Sequence, residues 1–148
     1  MGKLTKNHGE WICEDNRVKQ TKHKTKKPSQ KPDKKKLDDQ CLDLLSDVVI
    51  ARDHVCRNCQ SDFRLSNHHI RVRSHKSTRY DPDNCLCLCW KCHSLQKFRP
   101  ESFQDMIIDV IRQKEYDRLR VKSNMITSHT IEDLLEIKEH LKSILKEG

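Results

Sequence analysis

The sequence predicts a small α+β protein. Its expected core is two short strands and a helix clipped together by a metal ion, with one long helix in front and further helices behind. Three observations carry this. Cys56/Cys59 and Cys89/Cys92 are two Cys-x-x-Cys pairs with 29 residues between them. Between and beside the pairs, His68 and His69 of SNHHI read as the end of a short strand, Cys85, Cys87 and Cys89 alternate along a strand-like run, and His93 stands at the start of what should be a helix. Outside this frame, apolar residues recur at helical spacing from Leu37 and again from Phe103. At 148 residues, with 34% hydrophobic and 35% charged side chains, the chain can bury only a modest core, which makes a structural ion a necessity of the fold. Three regions follow: a basic arm over 1–32, a core with its leading helix over 33–100, and a helical extension over 101–148 that packs on the core.

The arm carries the charge. Residues 1–36 hold 12 Lys/Arg against 4 Asp/Glu, and residues 37–148 hold 18 of each, so the whole net charge of +8 sits at the start of the chain. Lys, Thr, Ser, Gln and Pro give the stretch through VKQTKHKTKKPSQKPDKKK almost nothing to bury, and it is expected to be disordered when free. Such an arm either attracts nucleic-acid phosphates without regard to sequence or simply solubilises the chain. Trp11, Ile12 and Cys13 form an apolar spot in it that could anchor the arm or stack on a base.

From Asp33 the character changes. Leu37, Cys41, Leu44, Leu45, Val48 and Val49 fall at helical spacing with no proline or glycine among them, which predicts a scaffolding helix over about residues 34–52. The clip follows. Two cysteines separated by two residues can turn both sulfurs toward one ion, and two such pairs supply the four thiolates of a closed tetrahedral structural Zn²⁺ site. No secretory leader is visible, so a reducing compartment and zinc are expected rather than disulfides. Cys85, Cys87 and Cys89 alternate along one strand, but only Cys89 has a partner with two residues between, leaving Cys85 and Cys87 as small buried hydrophobes.

The histidines suggest chemistry. His68 and His69 close a short strand, where neighbouring side chains point to opposite faces, so one can hold a metal while the other faces a water molecule. His93 directly follows Cys92, and the clip itself should carry it across the fold toward His68. Phosphodiester hydrolysis needs a base of near-neutral pKa and a divalent cation to stabilise the charge developing on phosphate and leaving oxygen. Histidine and a hard cation meet both needs.

The ordered combination C-x-x-C, HHI, DN and C-x-x-CH over Cys56–His93 resembles the HNH endonucleases with their ββα-metal fold. The resemblance implies His69 as general base, and His68 and His93 as ligands of a catalytic divalent cation, Mg²⁺ or Mn²⁺. It implies Asn84 as the residue that pins the connecting loop and so orients His69. A longer likeness overlaps it: KLDDQCLDLLSDVVIARDHVCRNC, TRYDPDN and the helical tail are similar to the phage NinG (Rap) recombination nucleases. His68 stands where that second family usually has glycine, and so favours the general HNH set. The likenesses together imply action on DNA, with branched recombination intermediates as the NinG-type substrate, in the cytoplasm of a prokaryotic or phage-infected cell.

Arg71, Arg73, His75, Lys76 and Arg79 crowd the loop between base and asparagine. Arg71, Arg73, Lys76 and Arg79 are the expected phosphate contacts, Arg79 first because the NinG likeness falls on it. Pro100 then breaks the chain ahead of a helix with Phe103, Ile107, Ile108 and Ile111 on one face, and EYDRLRVKS adds a short helix. Thr130 and Asp133 form a capping box that opens a last helix, whose stripe is Ile131, Leu134, Leu135, Ile137, Leu141, Ile144 and Leu145. That stripe either packs back on the domain, forms a homodimer or binds another protein.

No transmembrane run, lipidation signal or Gly-rich phosphate loop is present, which argues against a membrane protein or an energy-driven enzyme. Two functions remain: a metal-dependent endonuclease of low sequence specificity, or a non-catalytic zinc-ribbon DNA binder. A pure binder has no use for His68, His69 and His93 together, which favours the enzyme.

Overall fold

The computed structural model describes residues 33–147 and, of the arm, the backbone of two short strands. These are β1 (Leu4–Asn7) and β2 (Glu10–Cys13), paired antiparallel with Leu4 opposite Cys13. The sequence reading anticipated no strand there. The rest of the arm, the side chain of Trp11 and the expected disorder lie outside the described residues. Residues 1–30 and 31–148 are separate compact units, and the candidate chemistry falls in the second.

The second unit begins with α1 (Lys34–Asp53), close to the predicted span. Asp33 caps it by accepting from the Lys35 N–H at 3.0 Å, and His54 ends it in the left-handed region at φ 59°. Leu37, Cys41, Leu45, Val48 and Val49 form its buried face. A knuckle carrying Cys56 and Cys59 follows, closed by Cys56 N–H to the Ser61 carbonyl at 2.8 Å and Gln60 N–H to the Cys56 carbonyl at 2.9 Å.

The ribbon comes next. β3 (Leu65–His69) pairs antiparallel with β4 (Cys85–Cys89), Leu65 opposite Cys89 and His69 opposite Cys85. Every residue of β4 is buried because both of its faces are covered. Cys85 and Cys87 pack with Leu45, Val48 and Val49 of α1, while Leu86 and Leu88 pack with Phe103 and Ile107. That is the small-hydrophobe role expected of those two cysteines, and burial pushes their thiols up to about 12 and about 11, so both remain protonated. Arg57 N–H donates to the Cys87 carbonyl at 2.9 Å, tying the first knuckle to the ribbon.

The chain leaves β4 directly into α2 (Trp90–Phe98), then α3 (Pro100–Ile111) with proline at its first turn, then α4 (Gln113–Ser123). Pro100 thus starts a helix as well as ending one, because its missing N–H is not needed there. The last helix, α5 (Ile131–Glu147), opens on the predicted capping box: Thr130 N–H donates to Asp133 Oδ2 at 2.7 Å, and Asp133 N–H to Thr130 Oγ1 at 3.1 Å. Its stripe covers α1. Leu134 packs with Leu37 and Cys41, and Leu141 with Leu45 and Val49, while Leu135 lies off the stripe and is exposed. The apolar face that suggested a homodimer therefore has its partner within the chain. No described helix is long and apolar enough to cross a membrane.

Candidate metal centre and active site

The clip assembles as the spacing requires. The four sulfurs of Cys56, Cys59, Cys89 and Cys92 lie within 4.8 Å of one another, with Cys59 and Cys89 Sγ 3.5 Å apart. Sulfurs around one Zn²⁺ at ~2.3 Å stand ~3.8 Å apart in a tetrahedron, so this donor set fits the ion. Cys56 and Cys59 come from the knuckle after α1. Cys89 closes β4 and Cys92 lies in the first turn of α2, so the ion ties the knuckle to the β4–α2 corner. Asn58 Nδ2 donates to Cys92 Sγ at 3.2 Å, an outer contact of the kind that stabilises a ligating thiolate. Burial pushes the Cys56 thiol up, but the backbone N–H groups of Cys59, Cys89 and Asn58 outweigh it and bring it down to about 7. Burial and the neighbouring thiols push Cys92 up to about 12. Four sulfurs this close cannot all ionise without a cation between them.

His68 and His69 lie toward the other end of the ribbon, and His93, directly after Cys92, faces them from α2. His68, on β3, and His93, on α2, turn toward each other with Nδ1 and Nε2 3.2 Å apart. Two nitrogens each ~2.1 Å from one ion and at right angles are ~3.0 Å apart, so the pair fits one edge of a coordination shell. His93 Nδ1 is 2.9 Å from Ser66 Oγ, whose hydroxyl donates to the Leu88 carbonyl at 3.3 Å. The hydroxyl therefore accepts from His93 Nδ1–H, which leaves the Nε2 lone pair facing His68. His68 rests edge-on against Phe103, with centroids 4.9 Å apart.

His69, on the opposite face of β3, has a different environment. Its Nε2–H donates to the Arg79 carbonyl at 3.0 Å, and its Nδ1 accepts from Arg73 Nε at 3.5 Å. Both contacts select one tautomer, with the lone pair on Nδ1. A cavity of about 200 Å³ touches both His68 and His69, so the twisted strand end presents two adjacent side chains to one space. Burial lowers all three imidazoles. For His68, together with its histidine neighbours, it does so to about 4; the Arg73 charge adds to the effect on His69 and His93. The three are neutral at neutral pH; His93 turns its Nε2 lone pair toward His68, and His69 its Nδ1 lone pair toward Arg73.

Asn84 is fully buried and saturated. Its Oδ1 accepts from Arg71 N–H at 2.8 Å, and its Nδ2 donates to the Arg71 and Thr78 carbonyls at 3.0 Å each. It cross-links the two sides of the 70–84 loop.

The basic loop divides. Arg73 and Lys76 are exposed. Arg71 donates to Ser123 Oγ at 3.2 Å. Arg79, expected as the first phosphate clamp, has its guanidinium forked onto the Asp38 carboxylate at 3.0 and 2.6 Å and donates to the Arg73 carbonyl at 2.8 Å. That engagement makes Arg79, expected as a phosphate contact, a brace of the loop in this structure. The motif reading also missed Ser66 and Asp38. Ser66 was legible in principle, because it lies two residues before His68 and shares its face. Asp38 left no local trace, being 41 residues from Arg79.

No curated protein and no solved structure matches the chain. Residues 56–99 match the HNH endonuclease family model, a segment that contains all four clip cysteines, the three histidines and Asn84.

Proposed function

We propose that this protein is a metal-dependent endonuclease that hydrolyses DNA phosphodiester bonds. The observation that carries the reading is the arrangement of three neutral histidines around one strand end. His68 and His93 face each other as a ligand pair, and His69 beside them is fixed by the Arg79 carbonyl with its Nδ1 lone pair turned toward the exposed Arg73. His69 takes the proton from the attacking water as general base. His68 and His93 would hold a divalent cation, Mg²⁺ or Mn²⁺, which when bound supplies charge stabilisation for the phosphate and the leaving oxygen. Asn84 keeps the loop that carries both hydrogen-bond partners of His69. Arg73, exposed and beside His69 Nδ1, is the best-placed phosphate contact, with Arg71 and Lys76 further along the loop. The zinc clip holds the ribbon and α2 in register and stays out of the chemistry.

Loop cations favour backbone over base contacts, so sequence specificity is low. The NinG likeness adds branched recombination intermediates as the substrate class to test first. The deciding assay offers supercoiled, linear, fork and four-way-junction DNA with Mg²⁺, Mn²⁺ or EDTA to the parent and to His69→Ala. Cation-dependent cutting should disappear in the variant while zinc content and fold persist. DNA binding without cutting by the parent under every condition would replace this reading with a zinc-ribbon binder.

A further inference from the structure

Both nitrogens of His69 are addressed by residues that Arg79 holds in place. Nε2 donates to the carbonyl of Arg79 itself. Nδ1 meets the guanidinium of Arg73, whose own carbonyl accepts from Arg79 Nη1 at 2.8 Å. The orientation of the imidazole therefore depends on where the Arg79 side chain is anchored. That anchor is Asp38, one turn into α1 and outside the segment that matches the nuclease family. Its two oxygens take Arg79 Nε and Nη2 at 3.0 and 2.6 Å, and the Tyr80 hydroxyl donates to the same carboxylate. The contact is half-buried, with side-chain exposures of 25% for Asp38 and 21% for Arg79, so solvent weakens it less than a surface pair. A forked pair of this kind fixes direction as well as distance, which a single lysine or one hydrogen bond would not.

We propose that Asp38 is a positioning residue for the His69 imidazole, acting through the forked ion pair to Arg79 and the two backbone carbonyls that Arg79 fixes. Asp38 touches neither substrate nor reacting atoms. Burial pushes its carboxyl up, but the hydrogen bonds from Arg79 and Tyr80 outweigh this, so it stays ionised across the neutral range. Residues 56–99 thus hold the reacting groups, while α1 supplies the constraint that keeps one of them aimed. Without it the 70–84 loop keeps the Asn84 cross-link, the packing of Tyr80 and its hydrogen bonds to α4, and loses the contact that fixes the direction of the Arg79 guanidinium.

The role rests on His69 as the base, and the test separates the two ideas by reading the ring directly. ¹⁵N NMR of the His69 imidazole at neutral pH reports which nitrogen carries the proton, independently of any cleavage. The parent should show a single Nε2–H tautomer. In Asp38→Asn and Asp38→Ala, with zinc content and thermal unfolding used to confirm folding, the signal should shift toward a tautomer mixture. Cleavage of supercoiled DNA with Mn²⁺ should fall about 10- to 100-fold in kcat with KM nearly unchanged. Asp38→Glu, which restores the carboxylate, should recover most of both. A parent-like His69 signal in folded Asp38→Asn would overturn the proposal, whatever the cleavage rate. If the parent showed the single tautomer and Asp38→Asn lost it, but no variant or parent cut DNA, the positioning contact would stand and the nuclease reading would fall.

Discussion

The zinc clip and the histidine site share one two-stranded ribbon and adjoin at Cys92 and His93, yet they are specified in different ways. Each half of the clip is local: two sulfurs with two residues between them on a tight knuckle converge whatever the rest of the chain does, and only the meeting of the halves is tertiary. The histidine site has no local half. His68 and His93 meet only because β3 and α2 are held side by side, and His69 is aimed by a loop braced from α1. Damage to the clip should therefore act on folding as a whole. Damage around the histidines should act on geometry and leave the fold standing.

The sharpest way to break this contrast is to remove a sulfur. Cys92→Ser, or a strong chelator applied to the parent, should abolish zinc binding and unfold the β3–β4–α2 unit. Structural zinc contributes on the order of 10 kcal/mol in small clipped domains, more than a core of this size can replace. Metal analysis with far-UV circular dichroism reads both effects. A folded, zinc-free Cys92→Ser protein would show the clip to be dispensable.

Asn84→Ala tests where the clip's influence ends. It strands Arg71 N–H and two carbonyls in a buried place, with an expected cost of about 3–5 kcal/mol. The zinc should stay bound, because no contact of Asn84 reaches the knuckles. Loss of zinc together with the loop would mean that the two ends of the ribbon are one cooperative site.

How legible each end was follows from the same distinction. The clip, the buried roles of Cys85 and Cys87, the span of α1 and the capping box of α5 each depend on residues within a few positions of one another, and the structure agrees with the sequence on all of them. Pairing α5 with α1 was also foreseeable, because an apolar stripe needs cover and α1 offered one. What failed to show was long-range polar contact. Arg79 read as a free cation because its counter-charge is on another helix, and nothing in a run of lysines and aspartates marks Asp38 out from Asp39 or Asp43. The β1–β2 pairing escaped notice because its strands are four residues each inside a polar, lysine-rich arm.

Ser66→Ala sharpens the comparison at the histidine end. Removing the hydroxyl that accepts from His93 Nδ1–H frees that ring to turn, and affinity for the proposed catalytic cation should drop about 10- to 100-fold. Mn²⁺ titration of cleavage against structural zinc content separates the sites: the first should move and the second should not. An unchanged Mn²⁺ dependence would remove Ser66 from the account of how His93 is held.

The smallest effect is expected between the two ends, at Asp53. This carboxylate accepts from Arg52 at 2.8 and 3.0 Å and from the Cys87 N–H at 2.9 Å, while Arg52 also donates to the Pro82 and Cys85 carbonyls. It joins the end of α1 to the middle of β4, so it supports clip and histidines alike. Burial pushes its carboxyl up, but the Arg52 and Cys87 hydrogen bonds outweigh that and hold it below the usual carboxylate range. A carboxyl whose folded pKa is depressed stabilises the fold above its unfolded value of ~3.9 and loses that contribution as pH falls through the folded value. Asp53→Asn should therefore cost about 1–2 kcal/mol at neutral pH, remain that far below the parent down to roughly pH 5, and converge with it only below roughly pH 4. Acid also protonates the thiolates and releases zinc, but it does so in both proteins. The difference between their denaturant midpoints at each pH isolates the carboxylate. A gap that did not narrow in acid would show that the Asp53 side chain matters for its shape and not for its charge.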